Sequence, residues 1–296
     1  MAKLLTREQN IKRAKRLRKL DVFVGKLGLL FRNFKGRSPR QEIFINTEYG
    51  QVRTLGYGFE KPEKAPVFFD LHGGGFVLGS ADMDEAMNIE FNRQVGCKVI
   101  SIDYAKAPEF PYPVAVDQIY AVIKHVYENA EKYSIDPKRM AIGGHSAGGN
   151  LSTVICMKAK KEGDFQFVCQ VLDYPPLDLA KNPLEKPRPK GAIPPNMALM
   201  FNACYVDPAQ AKEPYVSPLY ATQAELAGLP PALFILVGGD SLHDEGLKYC
   251  EMLKAAEVVT ECYDYPKAAH GFTYNSSADR SDALEKMVTF LRKYFK

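Results

Sequence analysis

The sequence predicts an α/β fold, with a mostly parallel central sheet, helices on both faces and a lid-like excursion. Three observations predict it. From residue 42 onward, short apolar runs alternate with amphipathic stretches, the pattern of strand–helix units that builds a covered parallel sheet. Glycine-rich turns stand directly after two apolar runs, "HGGG" at 72–75 and "GGHSAGG" at 143–149. Residues 175–195, "PPLDLAKNPLEKPRPKGAIPP", hold seven prolines, too many for a helix or a central strand.

In "EQNIKRAKRLRKL" (8–20), Ile11, Ala14 and Leu17 recur at helical spacing among basic residues, which predicts an amphipathic helix. "EIFINTEYGQVRTLGYGF" (42–59) reads as two strands around a Tyr49-Gly50 turn, an antiparallel edge for the sheet. "PVFFDL" (66–71) and "CKVISIDY" (97–104) are short buried-strand runs. Residues 117–132 place Ile119, Val122, Ile123 and Val126 on one helical face. "RMAIGG" (139–144) is a strand, "GNLSTVICMKAKK" (149–161) a helix and "FVCQVLDY" (167–174) a strand. "PALFILVGGD" (231–240) is the most apolar strand, followed by the helical "SLHDEGLKYCEMLKAAE" (241–257). "VTECYDYP" (259–266) is the last strand, and "SDALEKMVTFLRKYF" (281–295) closes the chain with Leu284, Met287, Val288 and Leu291 on one side. Crossovers between parallel strands should be right-handed, and function should gather at the carboxyl ends of the strands. The proline-rich segment is then an excursion from the sheet, running to about residue 228.

Composition narrows the class. Apolar content of 46% and charged content of 25% are those of a globular chain. No apolar stretch approaches the ~18 residues that a transmembrane helix needs. "DVFVGKLGLLF" (21–31) is broken by Lys26 and lacks a small-residue cleavage site, so no signal peptide is expected. None of the six cysteines forms a C-x-x-C pair. Reduced, buried thiols and a cytoplasmic location are the expectation. Residues 1–40 carry a net charge of +11, leaving −7 for the rest of a chain whose total is +4. A basic arm can bind nucleic acid or an anionic membrane, or simply be the wet face of a helix. No nucleic-acid motif or interleaved aromatics support the first, and one amphipathic helix favours the solvated face over membrane contact. A second copy of the chain, as a homodimer, stays open as a partner.

The chemistry centres on Gly144-His145-Ser146-Ala147-Gly148, a G-x-S-x-G between an apolar strand and a helix. Such a turn strains the serine backbone and lifts its hydroxyl above the sheet. Glycine-rich strand–helix turns also bind phosphate, but no G-K-[ST] or G-x-G-x-x-G is present. A serine hydroxyl needs a base, and the base an orienting acid. Of the five histidines, His125 lies beside Lys124 on a helix, His145 should point away from its neighbour Ser146, and His72 precedes the triple glycine. His243 remains possible. His270, in "KAAHGFTY" between the last strand and last helix, is the candidate base. Asp240 ends the most apolar strand and is the candidate acid, with Asp244 the alternative. The bare amides of Gly74 and Gly75, with that of Ala147, would form an oxyanion hole, each donor being worth about 3–4 kcal/mol in the transition state.

"HGGGFVLGS", "SIDYAKAPEFPYPVAVDQ", "DPKRMAIGGHSAGGNLS", "VGGDSLHDEG" and "AHGF" together resemble the hormone-sensitive-lipase-like carboxylesterases of the α/β-hydrolase superfamily, over about residues 60–296. The resemblance implies a single α/β-hydrolase domain over 1–296, hydrolysis of short- to medium-chain acyl esters without a cofactor or metal, and a cap built from about 1–40 and 176–228. Two positions depart from the family pattern: His145 stands where an acidic residue usually precedes the nucleophile, and Ser241 where proline usually follows the acid. Hormone receptors of this fold lack the catalytic histidine, which this chain keeps as His270. An amidase or deacetylase on the same triad, or a lidded small-ligand receptor, is the alternative. Phe76, Val77, Met200, Phe201 and Tyr205 are candidate pocket walls or, equally, core of the cap.

Overall fold

A computed structural model describes residues 5–33, 40–275 and 277–296, the side chains of 24–33 excepted. The parts of the expected cap at 1–4 and 34–39 lie outside the described residues. Eight strands form one sheet in the order β1-β2-β4-β3-β5-β6-β7-β8. They are β1 (Gln41–Thr47), β2 (Gly50–Tyr57), β3 (Ala65–Leu71), β4 (Lys98–Ile102), β5 (Ile135–His145), β6 (Cys169–Asp173), β7 (Ala232–Val237) and β8 (Thr260–Tyr265). β1 and β2 pair antiparallel, as the hairpin at Tyr49-Gly50 requires, and β2 is antiparallel to β4. All other pairs are parallel.

The expected helices are α1 (Arg7–Asn33), α3 (Val114–Glu128), α4 (Ala147–Glu162), α7 (His243–Ala255) and α8 (Ala278–Tyr294). Helix α3 stops four residues short of the expected 132, where the Asn129 side-chain amide donates to the His125 carbonyl at the C-cap. Three helices lack a clear signal in the sequence: α2 (Glu85–Val95), α5 (Pro195–Tyr205) and α6 (Gln223–Leu226). The first is the crossover between β3 and β4. The other two lie inside the proline-rich excursion, where Pro195 opens α5 at the one helical position that tolerates proline.

Strand β7 is buried at all six positions, which explains its unbroken apolar sequence; each such large side chain contributes about 1.5–3 kcal/mol. Register then sets where function can gather. Leu71 pairs with Gly144, His145 with Asp173, Asp173 with Ile235, and Val237 with Tyr265. The loops after β3, β5, β6, β7 and β8 therefore leave the sheet on one edge.

Ala14 is fully buried, with Ile11 and Leu17 packed beside the same core, the helical face expected of α1. The helix lies against α5 and the loop after β3. Arg7 bonds the Ala203 carbonyl and Asp207, Arg18 the Ala107 carbonyl and Glu109, and Asp21 accepts from the Gly79 amide. Part of the basic arm is thus engaged in contacts within the chain.

One expectation needs correcting. Cys250 on α7 and Cys262 on β8 are joined in a disulfide, whereas Cys97, Cys156, Cys169 and Cys204 are free and buried. α7 packs directly on β8, so residues 12 apart in sequence become neighbours. The thiol argument for a cytoplasmic location loses its support. No described helix is long and apolar enough to cross a membrane.

Candidate active site

The site begins with the turn that ends β5. Ser146 has φ 52° and ψ −117°, a strained conformation for a residue with a side chain. Its amide donates to the Asp173 carbonyl at 2.8 Å, which fixes the turn to β6. The turn needs glycine on both sides. A Cβ on Gly144 would meet the Leu71 carbonyl oxygen at 2.2 Å, and one on Gly148 the same oxygen at 1.8 Å.

His270 and Asp240 arrive from the loops after β8 and β7. Asp240 Oδ2 accepts from His270 Nδ1 at 2.5 Å, and the Ser146 hydroxyl donates to Nε2 at 3.1 Å. Residues 124 and 30 positions apart thus form one row. Asp240 is 2% exposed. Asp244, the alternative acid, is exposed at the surface of α7. His243 bonds Asp264 instead of the serine. His72 is fully buried, stacked on Tyr104 at 4.2 Å between ring centres. Burial, then the charge of Lys106, hold it down at about 3. His125 is half-buried against Tyr133.

Gly74 and Gly75 follow β3 with φ 117° and 61°. No acceptor among the described residues takes either amide. Ala147 is the first residue of α4, so its N–H has no intrahelical partner. Three free amides therefore come from the two glycine-rich turns, whose strands are neighbours. Gly73 brings these turns into contact: a Cβ there would lie 3.7 Å from the Ser146 Cβ.

A family model of the alpha/beta hydrolase fold matches residues 68–274. The chain belongs to this family. Relatives that match the chain are named as carboxylic ester hydrolases and esterases. A carboxylic ester hydrolase of Mycobacterium tuberculosis, LipN, is 37% identical over 247 residues, covering 78% of this chain and 63% of that protein. The chain thus matches somewhat under two thirds of that relative's length. The carboxylesterase NlhH of the same organism is 34% identical over 214 residues, covering 71% of this chain and 67% of its own. The solved esterase of Pyrobaculum calidifontis superposes with a TM-score of 0.83 at 30% identity, covering 95% of this chain and 92% of that one.

Around Ser146 the α/β-hydrolase core and the excursion enclose a cavity of about 40 Å³. Phe76 and Phe201 line it, with Pro176, Leu179, Ile193 and Leu242 among the other apolar walls. Three expected wall residues do not reach it. Val77, Met200 and Tyr205 are fully buried, and Tyr205 stacks behind Phe76 at 3.8 Å. They hold the wall from behind, because each lies on the face of its segment turned to the core.

Two residues of the excursion escape a reading of the sequence. Lys186 lines the cavity and donates to Glu245 Oε2 at 2.9 Å and to the Asp178 carbonyl at 2.8 Å. Burial pushes Glu245 up to about 7 despite that lysine. The Gly191 carbonyl accepts the His270 amide at 3.0 Å. The only signal is a lysine and a glycine inside a proline run, where pattern does not settle which residues are buried. His145 turns away from Ser146, as expected, and donates from Nδ1 to Asp173 Oδ2 at 2.5 Å.

Proposed function

We propose that the chain is a serine carboxylesterase acting on short- to medium-chain acyl esters through an acyl-enzyme. Ser146 is the nucleophile, His270 the base and Asp240 the acid that orients it. His270 Nε2 takes the hydroxyl proton as Oγ attacks the ester carbonyl. The oxyanion rests on the amides of Gly74, Gly75 and Ala147. His270 then gives its proton to the leaving alcohol, and the acyl group stays on Ser146. Water repeats the sequence: His270 deprotonates it as it attacks the acyl carbonyl, then returns the proton to Ser146 Oγ as the acyl–oxygen bond breaks, and the carboxylic acid leaves. Asp240 stabilises the imidazolium that forms in each half.

The observation that carries this reading is the Asp240–His270–Ser146 row, at 2.5 and 3.1 Å, facing amides without acceptors. The cavity of about 40 Å³ beside Ser146 favours the short end of the acyl range unless the cap yields. The cap itself is proposed to comprise α1 and about residues 176–228, resting on the site through Lys186 and Gly191.

A series of p-nitrophenyl esters from acetate to palmitate tests the proposal. Turnover is expected to peak at short acyl chains and to vanish in Ser146→Ala. Turnover retained by that variant rejects the triad. Faster hydrolysis of a p-nitroanilide than of the matching ester would turn the assignment toward an amidase.

A further inference from the structure

We propose that His145 is a positioning residue: it is the cation of a buried cluster of three carboxylates, and through one of them it clamps the Ser146 turn to the His270 loop. The inference rests on the reading of Ser146 and His270 as nucleophile and base. It concerns one of the two positions at which the sequence departs from the pattern of the carboxylesterases it resembles.

The carboxylates come from three places on the same edge of the sheet. Asp70 lies in β3, Asp84 precedes α2, and Asp173 ends β6; each is 1% exposed. One oxygen of Asp70, one of Asp84 and a ring nitrogen of His145 all lie within 4.8 Å of one another. Asp70 is served by Asn88 and Ser101, which donate to Oδ2. Asp84 lies against the Asp70 carboxyl and the Tyr274 hydroxyl. His145 Nε2 stands 4.0 Å from Asp84 Oδ1, and Tyr274 faces the cluster from the His270 loop. Among the described residues, no lysine or arginine pairs with any of the three acids. Three buried carboxylates cannot all ionise without a counter-charge. The imidazolium of His145, 4% exposed, supplies one.

The clamp runs through Asp173. Its carbonyl accepts the Ser146 amide. Its Oδ2 accepts from His145 Nδ1 and, at 2.8 Å, from the Thr273 hydroxyl. Thr273 lies three residues beyond His270 and bonds the Tyr174 hydroxyl at 2.6 Å, while the Tyr174 ring meets the His270 ring edge-on at 4.8 Å. Asp173 Oδ2 accepts both bonds at one oxygen. Replacing His145 removes one of these two donors together with the counter-charge, which loosens the hold of the Ser146 turn on Thr273. An acid at 145 would add a fourth carboxylate to the three.

The test moves the charge across the 4.0 Å gap. His145→Asp should lower kcat about 100-fold with KM changed less than about threefold, the split expected when alignment of reacting groups is lost and substrate binding is kept. Asp84→His combined with His145→Asp restores one cation among three acids and should recover kcat to within about tenfold of the parent. If the single variant does not fold, recovery of folded, active protein by the pair supports the proposal equally. Wild-type kcat in His145→Gln, or a pair no more active and no more stable than His145→Asp alone, overturns the proposal. So does one divalent metal ion per purified chain that is lost in His145→Gln, since the cation would then be the metal. Thermal midpoints of the same variants in a Ser146→Ala background report on the cluster without catalysis, so a failure of the triad reading is told apart from a failure of this one.

Discussion

At the scale of single residues, what stands out is how little room the site leaves for substitution. A side chain at position 75 would have to take φ 61° and would drive into the Phe201 ring at 2.2 Å. Gly75→Ala is expected to cut kcat about 10²–10³-fold by displacing one oxyanion donor, read from steady-state kinetics on p-nitrophenyl acetate with folding checked by circular dichroism. Ser146→Ala should cost about 10⁶-fold, the loss seen when a triad acts as a unit. A fluorophosphonate probe should label the parent once and this variant not at all, which checks the same prediction without turnover. Ser146, His270, Asp240 and the two glycines were legible in the sequence because each sits in a short motif whose chemistry dictates residue type. Val77, Met200 and Tyr205 were not: an apolar residue in a loop or helix looks the same whether it faces a cavity or the core behind it.

At the scale of elements, the excursion between β6 and β7 is held to the hydrolase core by buried apolar side chains, Leu177, Met200, Tyr205 and Val216 among them, and by polar contacts that include a buried ion pair. Lys186 and Glu245 are 8% and 7% exposed in their side chains and pair at 2.9 Å. Lys186→Ala leaves a buried carboxylate without its cation, a change that costs about 3–5 kcal/mol when the acid stays charged. Burial holds Glu245 near 7, so the loss should be largest at pH 8 and shrink at pH 6, where the acid takes up a proton. Urea denaturation at the two pH values reads it; an equal loss at both would refute the assignment. Because Lys186 also lines the cavity, KM for longer acyl chains should change in the same variant. The strands and long helices were predictable from periodicity. Helices α2, α5 and α6 were not. α2 lacks a regular apolar stripe, and proline around α5 reads as helix-breaking until one sees that Pro195 occupies the first turn. The pairing of Cys250 with Cys262 also belongs to this scale, since it depends on α7 lying on β8.

At the scale of the whole molecule, the buried charges set how stability depends on pH. Burial alone would lower His145, but Asp84 and Asp173 outweigh it and raise the imidazole from 6.5 to about 9. A folded value above the unfolded one means that the folded state holds the proton longer. The contribution of His145 is therefore complete below about 6.5 and lost as pH rises toward and through about 9. Burial, then the charge of Asp70, push Asp84 up to about 7, and an acid with a raised value also loses stability as pH rises. The thermal midpoint is expected to fall between about pH 6.5 and 9.5, and Asp84→Asn should flatten that fall; calorimetry across the range checks both. A midpoint that climbed with pH would contradict the charge states. Taken alone, the amino-acid sequence determined the alternation of strands and helices, the motif-bearing turns and the candidate chemistry, because period, glycine and proline act over a few neighbouring residues. Only the tertiary structure decided which side chains meet the cavity, how the excursion is anchored, and what surrounds His145. Those depend on the register that brings β3, β5, β6, β7 and β8 to one edge, and on burial, which lets distant residues share one low-dielectric space.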